Sequence, residues 1–321
     1  MKCLYPNMIT GENQQFKPFN ESYFQKFPGN TFIIPCNRCF NCKINKSKVW
    51  AVRCLIESYD WKYNYFITLT YNDENLKYVE QSYIPLTGEF RRVPTLSKKD
   101  VQKFIKRLRR DIEYHRNGKL KYLIVGEYGD QTKRPHYHLI LFMDVPISDL
   151  AFHKMNKDGD TLWTSKYLDS IWKHGNTLTG MFNIKTAAYT ARYTMKKLYG
   201  DDKKIYVDSG LIKQTPEFML CSKKPPIGFN YFNRNKKVLL KSDTLNYYQA
   251  DKLQKIKIPK SFLKKLHESE IKQLMENRVI AAKREYINYK YVNKELNYLN
   301  LLIKERFIAF EKEKKLKQTT F

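Results

Sequence analysis

The sequence predicts an α+β fold: a central antiparallel sheet with helices packed against it, continued by a helical arm at the C-terminus. Three observations lead there. Residues 65–71 (YFITLTY), 122–127 and 136–143 are short β-branched or aromatic runs bounded by turn formers, which is how strands read. Residues 97–116, 165–174 and 186–198 carry apolar side chains at helical spacing or run between helix start and stop signals. Beyond Asp251 the chain becomes Lys- and Tyr-rich, with apolar positions such as Ile271, Leu274, Leu299 and Leu302, and reads as helix to its end.

The elements follow in order. The first 35 residues, rich in Asn, Phe, Pro and Gly, show little periodicity and read as irregular structure. Val49, Val52, Leu55 and Ile56 share one face of a helix over residues 47–60. Residues 72–95 form a long connection or an irregular hairpin. Ser97 is placed to cap the next helix, with Asp100 three residues on in the manner of a capping box. That helix buries Val101, Phe104, Ile105, Leu108 and Ile112, while Lys103, Lys106, Arg107, Arg109 and Arg110 cover much of the remainder. The strands at 122–127 and 136–143 are joined by a loop containing Gly129 and Pro135. The second of them is expected in the middle of the sheet, with helices on one face and functional groups on the other. Three regions result: an N-terminal element (1–60), an α+β core (61–235) and a basic helical arm (236–321).

Charge narrows the class. Among 321 residues, 59 Lys and Arg stand against 32 Asp and Glu, a formal net charge of +27. Such an excess concentrates polyanions, which points to nucleic acid or an acidic surface. The 24 Tyr and 19 Phe include stacking surfaces suited to unpaired bases, although most must be core. No long apolar run suggests a membrane span, and residues 1–10 lack a basic stretch followed by an apolar one, so a cytoplasmic location is expected.

His136 and His138 lie two apart on a strand and so project from one face. An isolated pair of this kind is more often structural. Two imidazoles in so apolar a strand are nevertheless costly unless they have a task. Glu127 ends the preceding strand, where an antiparallel turn returns it beside the pair. One carboxylate and two imidazoles suit Mg²⁺ or Mn²⁺ better than a closed structural zinc site. Tyr189 and Tyr193, four apart on a helix, share a face and are candidate nucleophiles, with Lys196 and Lys197 a turn beyond. Alternatively they are two buried tyrosines of an amphipathic helix. Cys36, Cys39 and Cys42 form a C-x₂-C-x₂-C run that could hold Zn²⁺ if Cys3 or Cys54 supplied a fourth ligand; reduced thiols in a short turn are the competing reading.

FITLTY (66–71), GEYG (126–129) with RPHYHLILF (134–142), and YTARYTMKK (189–197) together resemble, in order, the three motifs of HUH rolling-circle replication endonucleases. PCNRCFNCKINKSKVWAVRC (35–54), FIKRLRR (104–110) and EFMLCSKKPPIG (217–228) resemble the replication initiators of gokushovirus-type microviruses, small circular single-stranded DNA phages. The resemblance covers roughly residues 35–230. It implies an HUH metal site in the sheet and a tyrosine that cuts single-stranded origin DNA, keeps the 5′-phosphate and frees a 3′-OH for a host polymerase. A second tyrosine would then rejoin the displaced strand. By position, His136, His138 and Glu127 would be metal ligands, Tyr189 and Tyr193 the nucleophiles, and Lys196 the motif lysine. Arg192 stands where a lysine would match better, which makes Tyr193 the better first nucleophile. Arg192, Lys197, Lys103, Lys106, Arg107 and Arg110 would hold DNA, and a host helicase is a further partner. Action in the cytoplasm of an infected bacterium would follow. A relaxase, a single-strand transposase and a non-catalytic single-strand binding protein are the other readings.

Overall fold

The computed structural model describes residues 3–10, 15–18, 20, 22, 31–80, 92–129, 131–156, 159–192, 214–249, 252–292, 306 and 308–309. Two compact units divide the chain: residues 1–46, 237–246 and 255–321 in one, and 47–236 with 247–254 in the other.

The second unit is built on a seven-stranded sheet. Its strands are β4 (Tyr63–Thr70), β7 (Leu120–Tyr128), β8 (Pro135–Met143), β9 (Ala151–Met155), β10 (Thr161–Thr164), β11 (Thr177–Met181) and β12 (Phe218–Cys221). The order is β12-β7-β8-β4-β11-β10-β9, with every neighbouring pair antiparallel. The histidine strand β8 therefore lies between two long neighbours. A short hairpin of β5 (Tyr78–Glu80) and β6 (Arg92–Pro94) occupies the expected irregular connection.

Alternation along β8 sends Tyr137, Leu139 and Leu141 to one face and His136, His138, Ile140 and Phe142 to the other. On the first face pack α2 (Lys98–His115), through Val101, Phe104, Ile105, Leu108 and Ile112, and α3 (Lys166–Trp172), through Leu168, Ile171 and Trp172. Trp172, Tyr137 and Phe104 are fully buried there, each such side chain contributing about 2–3 kcal/mol by leaving water. On the other face Ala51 and Cys54 of α1 (Phe40–Ser58) and Ala187 and Ala191 of α4 (Ile184–Arg192) meet Leu123, Ile140 and Phe142. Helices thus cover both faces, where one was expected. The apolar run LILF reflects this, since a strand buried on both sides loses its polar alternation.

Local chemistry explains the element ends. Ser97 Oγ accepts from the Asp100 N–H (3.2 Å), capping α2 as expected. The reciprocal half of the capping box is missing. Asp100 Oδ2 instead accepts from the Tyr71 hydroxyl (2.9 Å), while the Ser97 N–H donates to Tyr137 Oη (2.8 Å). Helix α3 ends at Lys173 in a left-handed conformation, φ 64°. Gly175 follows at φ 150°, clamped beside the end of β4 by Thr70 N–H to Asn176 O (3.0 Å) and Asn72 N–H to His174 O (2.9 Å). A Cβ at Gly175 would lie 2.3 Å from the Thr70 carbonyl oxygen and 2.5 Å from the Asn72 nitrogen, backbone atoms that cannot swing aside. Gly175→Ala is expected to cost about 2–3 kcal/mol from the φ strain and the overlap, read as a lower urea midpoint at unchanged slope.

In the first unit, residues expected to be irregular form a three-stranded sheet, β2-β1-β3, from β1 (Asn7–Thr10), β2 (Gln15–Pro18) and β3 (Thr31–Ile34). Strands of four residues are too short to show alternation. Helix α1 starts at Phe40, seven residues before the sequence suggests, because the residues it buries there are Asn41 and Cys42 and not aliphatic ones. Toward the C-terminus come α5 (Phe229–Arg234), α6 (Lys236–Ser242), β13 (Thr244–Gln249), β14 (Lys252–Lys257), α7 (Lys260–Leu263) and α8 (Glu268–Val292). Residues 252–257 are thus strand where helix was expected. Among the described residues, no helix is long and apolar enough to cross a membrane.

Candidate metal centre

The β7–β8 hairpin register sets Glu127 opposite His136 and Val125 opposite His138. Glu127, one residue from the strand end, points to the same face as the two imidazoles. Its Oε1 lies 2.6 Å from His136 Nε2 and 3.0 Å from His138 Nε2. The three ligand atoms are within 4.8 Å of one another, with Glu127 and His138 buried and His136 half-buried. His136 Nδ1–H donates to the Arg134 carbonyl (3.2 Å), and His138 Nδ1 lies 3.2 Å from Thr68 Oγ1. In the neutral ring, an Nδ1 proton leaves the Nε2 lone pair facing inward, which is how metal-bound histidines are oriented.

Burial by itself would push the Glu127 carboxyl up, but the hydrogen bonds from both imidazoles outweigh it and hold it at about 2. Its other oxygen, Oε2, is buried without a hydrogen-bond partner among the described residues. A buried acceptor left so is costly, and a cation between the carboxylate and the two Nε2 atoms would satisfy it. The donor set therefore fits a divalent metal ion. Arg134, the nearest cation in sequence, is engaged elsewhere, with Asp73 (2.6 Å) and the Tyr71 carbonyl (2.8 Å).

Helix α4 brings Tyr189 to this cluster. Asn183 and Thr186 cap its start reciprocally: Asn183 Oδ1 accepts from the Thr186 N–H (2.8 Å) and Thr186 Oγ1 from the Asn183 N–H (2.9 Å). With Ala187, Thr190 and Ala191 buried, Tyr189 projects over the end of β8. Its ring stands edge-on to His138, centroids 5.3 Å apart, and to Phe66 at 6.1 Å. Arg192 Cζ lies 5.5 Å from the centre of the Tyr189 ring. Phe66 also stacks on His138 at 5.5 Å. Phe66 and Thr68 were absent from the sequence reading. Alternation in FITLTY could have found them, since it sets both opposite the core residues Ile67 and Leu69.

Residues 64–198 match the family of replication-associated proteins of the ORF2 type. The chain is 32% identical over 330 residues to replication-associated protein ORF2 of Spiroplasma virus 4, covering 95% of this chain and 97% of that one. The chain belongs to the phage replication-associated proteins. Replication-associated protein VP4 of Bdellovibrio phage phiMH2K is 36% identical over 178 residues, covering 54% of this chain and 51% of that one. Replication-associated protein ORF4 of Chlamydia phage 1 is 28% identical over 286 residues, 85% of this chain and 64% of that one. No solved structure matches it.

In this replication-associated protein the other candidate residues are distributed unevenly. Tyr193, Lys196 and Lys197 lie outside the described residues. Lys103, Lys106 and Arg110 are exposed on α2, which packs on the sheet face opposite the histidines. Arg107 belongs to α2 as well, but its guanidinium closes α3, donating to the carbonyls of Ile171 (2.8 Å) and Trp172 (3.1 Å). Cys36, Cys39 and Cys42 gather with Cys3 in the first unit, whereas Cys54 is buried among Ala51, Leu123 and Ile140.

Proposed function

We propose that this replication-associated protein is an HUH endonuclease and strand transferase that nicks and rejoins single-stranded origin DNA, initiating rolling-circle replication of a small phage genome. The observation that carries the reading is the Tyr189 ring beside His138 of a buried Glu–His–His cluster. Family membership favours an initiator over a relaxase or transposase.

In the proposed reaction the tyrosine oxygen attacks the scissile phosphorus. A tyrosine O–P bond forms, the P–O3′ bond breaks, and the phenolic proton ends on the departing 3′ oxygen. The 5′-phosphotyrosine keeps the energy of the cleaved bond, so rejoining needs no nucleotide cofactor. An ordinary phenol, with a pKa of about 10, is a poor nucleophile at neutral pH. Arg192 beside the ring supplies positive charge for the phenolate and the phosphate. Phe66 and the Thr68 hydroxyl hold the His138 ring in place. Mg²⁺ or Mn²⁺ bound by Glu127, His136 and His138 would polarise the phosphate and offset its growing charge. The second nucleophile would be Tyr193, with Lys196 and Lys197 close in sequence. A host polymerase would extend the 3′-OH, within the cytoplasm of the infected cell.

The test is incubation of the full chain with a 5′- or 3′-labelled origin oligonucleotide and Mn²⁺. A denaturant-resistant adduct carrying the 5′-phosphate side is expected, and none after chelation. An adduct indifferent to chelation, or no cleavage with any divalent ion, removes the reading. Glu127→Gln keeps the shape and removes the charge. It is expected to lower the initial rate of adduct formation by about 10²-fold or more and to weaken the Mn²⁺-induced rise in melting temperature.

A further inference from the structure

Four of the six cysteines of this chain meet at one point far from one another in sequence. Cys3 Sγ lies 3.8 Å from Cys39 Sγ, and Cys36 Sγ lies 4.0 Å from Cys42 Sγ. These two separations share no atom, so they are opposite edges of a four-sulfur figure whose members all lie within 4.8 Å. A zinc–sulfur bond of about 2.3 Å requires a sulfur tetrahedron with edges of about 3.8 Å. The sulfurs are thus spaced as ligands of one ion, while both measured separations are far too long for a disulfide bond of about 2.05 Å.

Backbone donors add a second, independent indication. The Cys36 N–H donates to Cys3 Sγ (3.2 Å), the Leu4 N–H to Cys39 Sγ (3.4 Å), and the Arg38 and Cys39 N–H groups to Cys36 Sγ (3.4 and 3.3 Å). A thiol is a weak acceptor; N–H groups converging on sulfur are what thiolate ligands need. Cys42 also sits in the first turn of α1, where the helix dipole favours negative charge. Positive φ at Asn37 (62°) turns the chain between Cys36 and Cys39 so that both sulfurs face inward.

We propose that Cys3, Cys36, Cys39 and Cys42 bind one structural Zn²⁺, a site separate from the Glu–His–His cluster and independent of the nicking reaction. Four sulfurs close the coordination shell and leave no position for water, so the site organises the chain and does no chemistry. What it organises is visible. Leu4 and Ala309 pack with the cysteines, and Arg306 donates to the Leu4 carbonyl (3.0 Å) with its guanidinium 4.6 Å over the Tyr5 ring. The ion would fix the segment around Leu4, and through it the segment around Arg306, to the start of α1.

The test uses the full chain carrying His136→Ala and His138→Ala, so that the other centre contributes no metal. Elemental analysis after dialysis is expected to find one zinc per chain, retained in a Cys221→Ser variant and lost in Cys3→Ser. If Cys3→Ser fails to fold, Co²⁺ substitution of the parent decides: a strong thiolate-to-cobalt charge-transfer band is expected. The proposal is overturned by substoichiometric metal, by iron in place of zinc, by a disulfide among these four cysteines, by zinc retained in folded Cys3→Ser, or by cobalt binding without that band.

Discussion

Tyr189→Phe combined with Tyr193→Phe is expected to lower covalent attachment of origin DNA at least about 10³-fold, the scale on which losing an essential nucleophile acts. The change at Tyr189 is clean because phenylalanine retains the ring. The edge-on contacts with His138 and Phe66 and the Arg192 contact all involve that ring, so only the attacking oxygen is removed. Melting temperature and Mn²⁺ binding should therefore stay near those of the parent. The single variants then separate the two tyrosines. Loss of the first adduct in Tyr189→Phe assigns the opening attack to the residue beside His138. Retained adduct with failed rejoining assigns the opening attack to Tyr193, as the arginine in place of lysine at position 192 predicts. Undiminished adduct in the double variant would sink the phosphotyrosine mechanism, whatever the role of the metal centre.

What could be read in advance was what short-range periodicity encodes. The two-residue spacing of His136 and His138 put both on one face, and the short β7–β8 connection brought Glu127 back beside them. The Ser97 cap and the apolar stripe of α2 were equally legible. Elements whose signal lies in tertiary contacts were not. The α1 start buries Asn41 and Cys42, which a search for aliphatic periodicity passes over. In β13, Leu245 and Tyr247 are buried while Asn246 and Tyr248 face outward, and in β14 Ile256 is the buried position among lysines. That alternation was present but masked by Lys-rich composition. Arg107 reads as one more cation of a basic helix until α3 is seen to end against it, and its two carbonyl partners are 64 and 65 residues away. The fourth cysteine posed the same problem, since Cys3 reaches the others only through a chain reversal of 33 residues.

Glu57 carries the largest expected effect on stability. It is fully buried on α1, ion-paired with Lys121 of β7 at 2.8 Å, and takes hydrogen bonds from Trp61 Nε1 (2.7 Å) and the Gly228 N–H (2.5 Å). Arg53, one turn earlier, donates from Nε to the Ile227 carbonyl (3.0 Å). Gly228 has φ 78°, and a Cβ there would lie 2.8 Å from Ile56 side-chain atoms, so the 227–228 turn is pressed directly against the helix. One carboxylate thus joins α1, the sheet and this turn on the face that carries the histidines. Glu57→Ala would strand a buried ammonium and two buried N–H donors, and is expected to destabilise the fold by about 3–5 kcal/mol. Lys121→Met leaves the carboxylate its two N–H donors and should cost less. Glu57→Gln with Lys121→Met removes both charges and should recover much of the loss, because a neutral amide needs no counter-ion. Equilibrium unfolding in urea measures all three. Additive costs in the double variant would show that the residues act separately, and adduct formation falling faster than the folded fraction would mean that Glu57 serves the reaction and not only the fold.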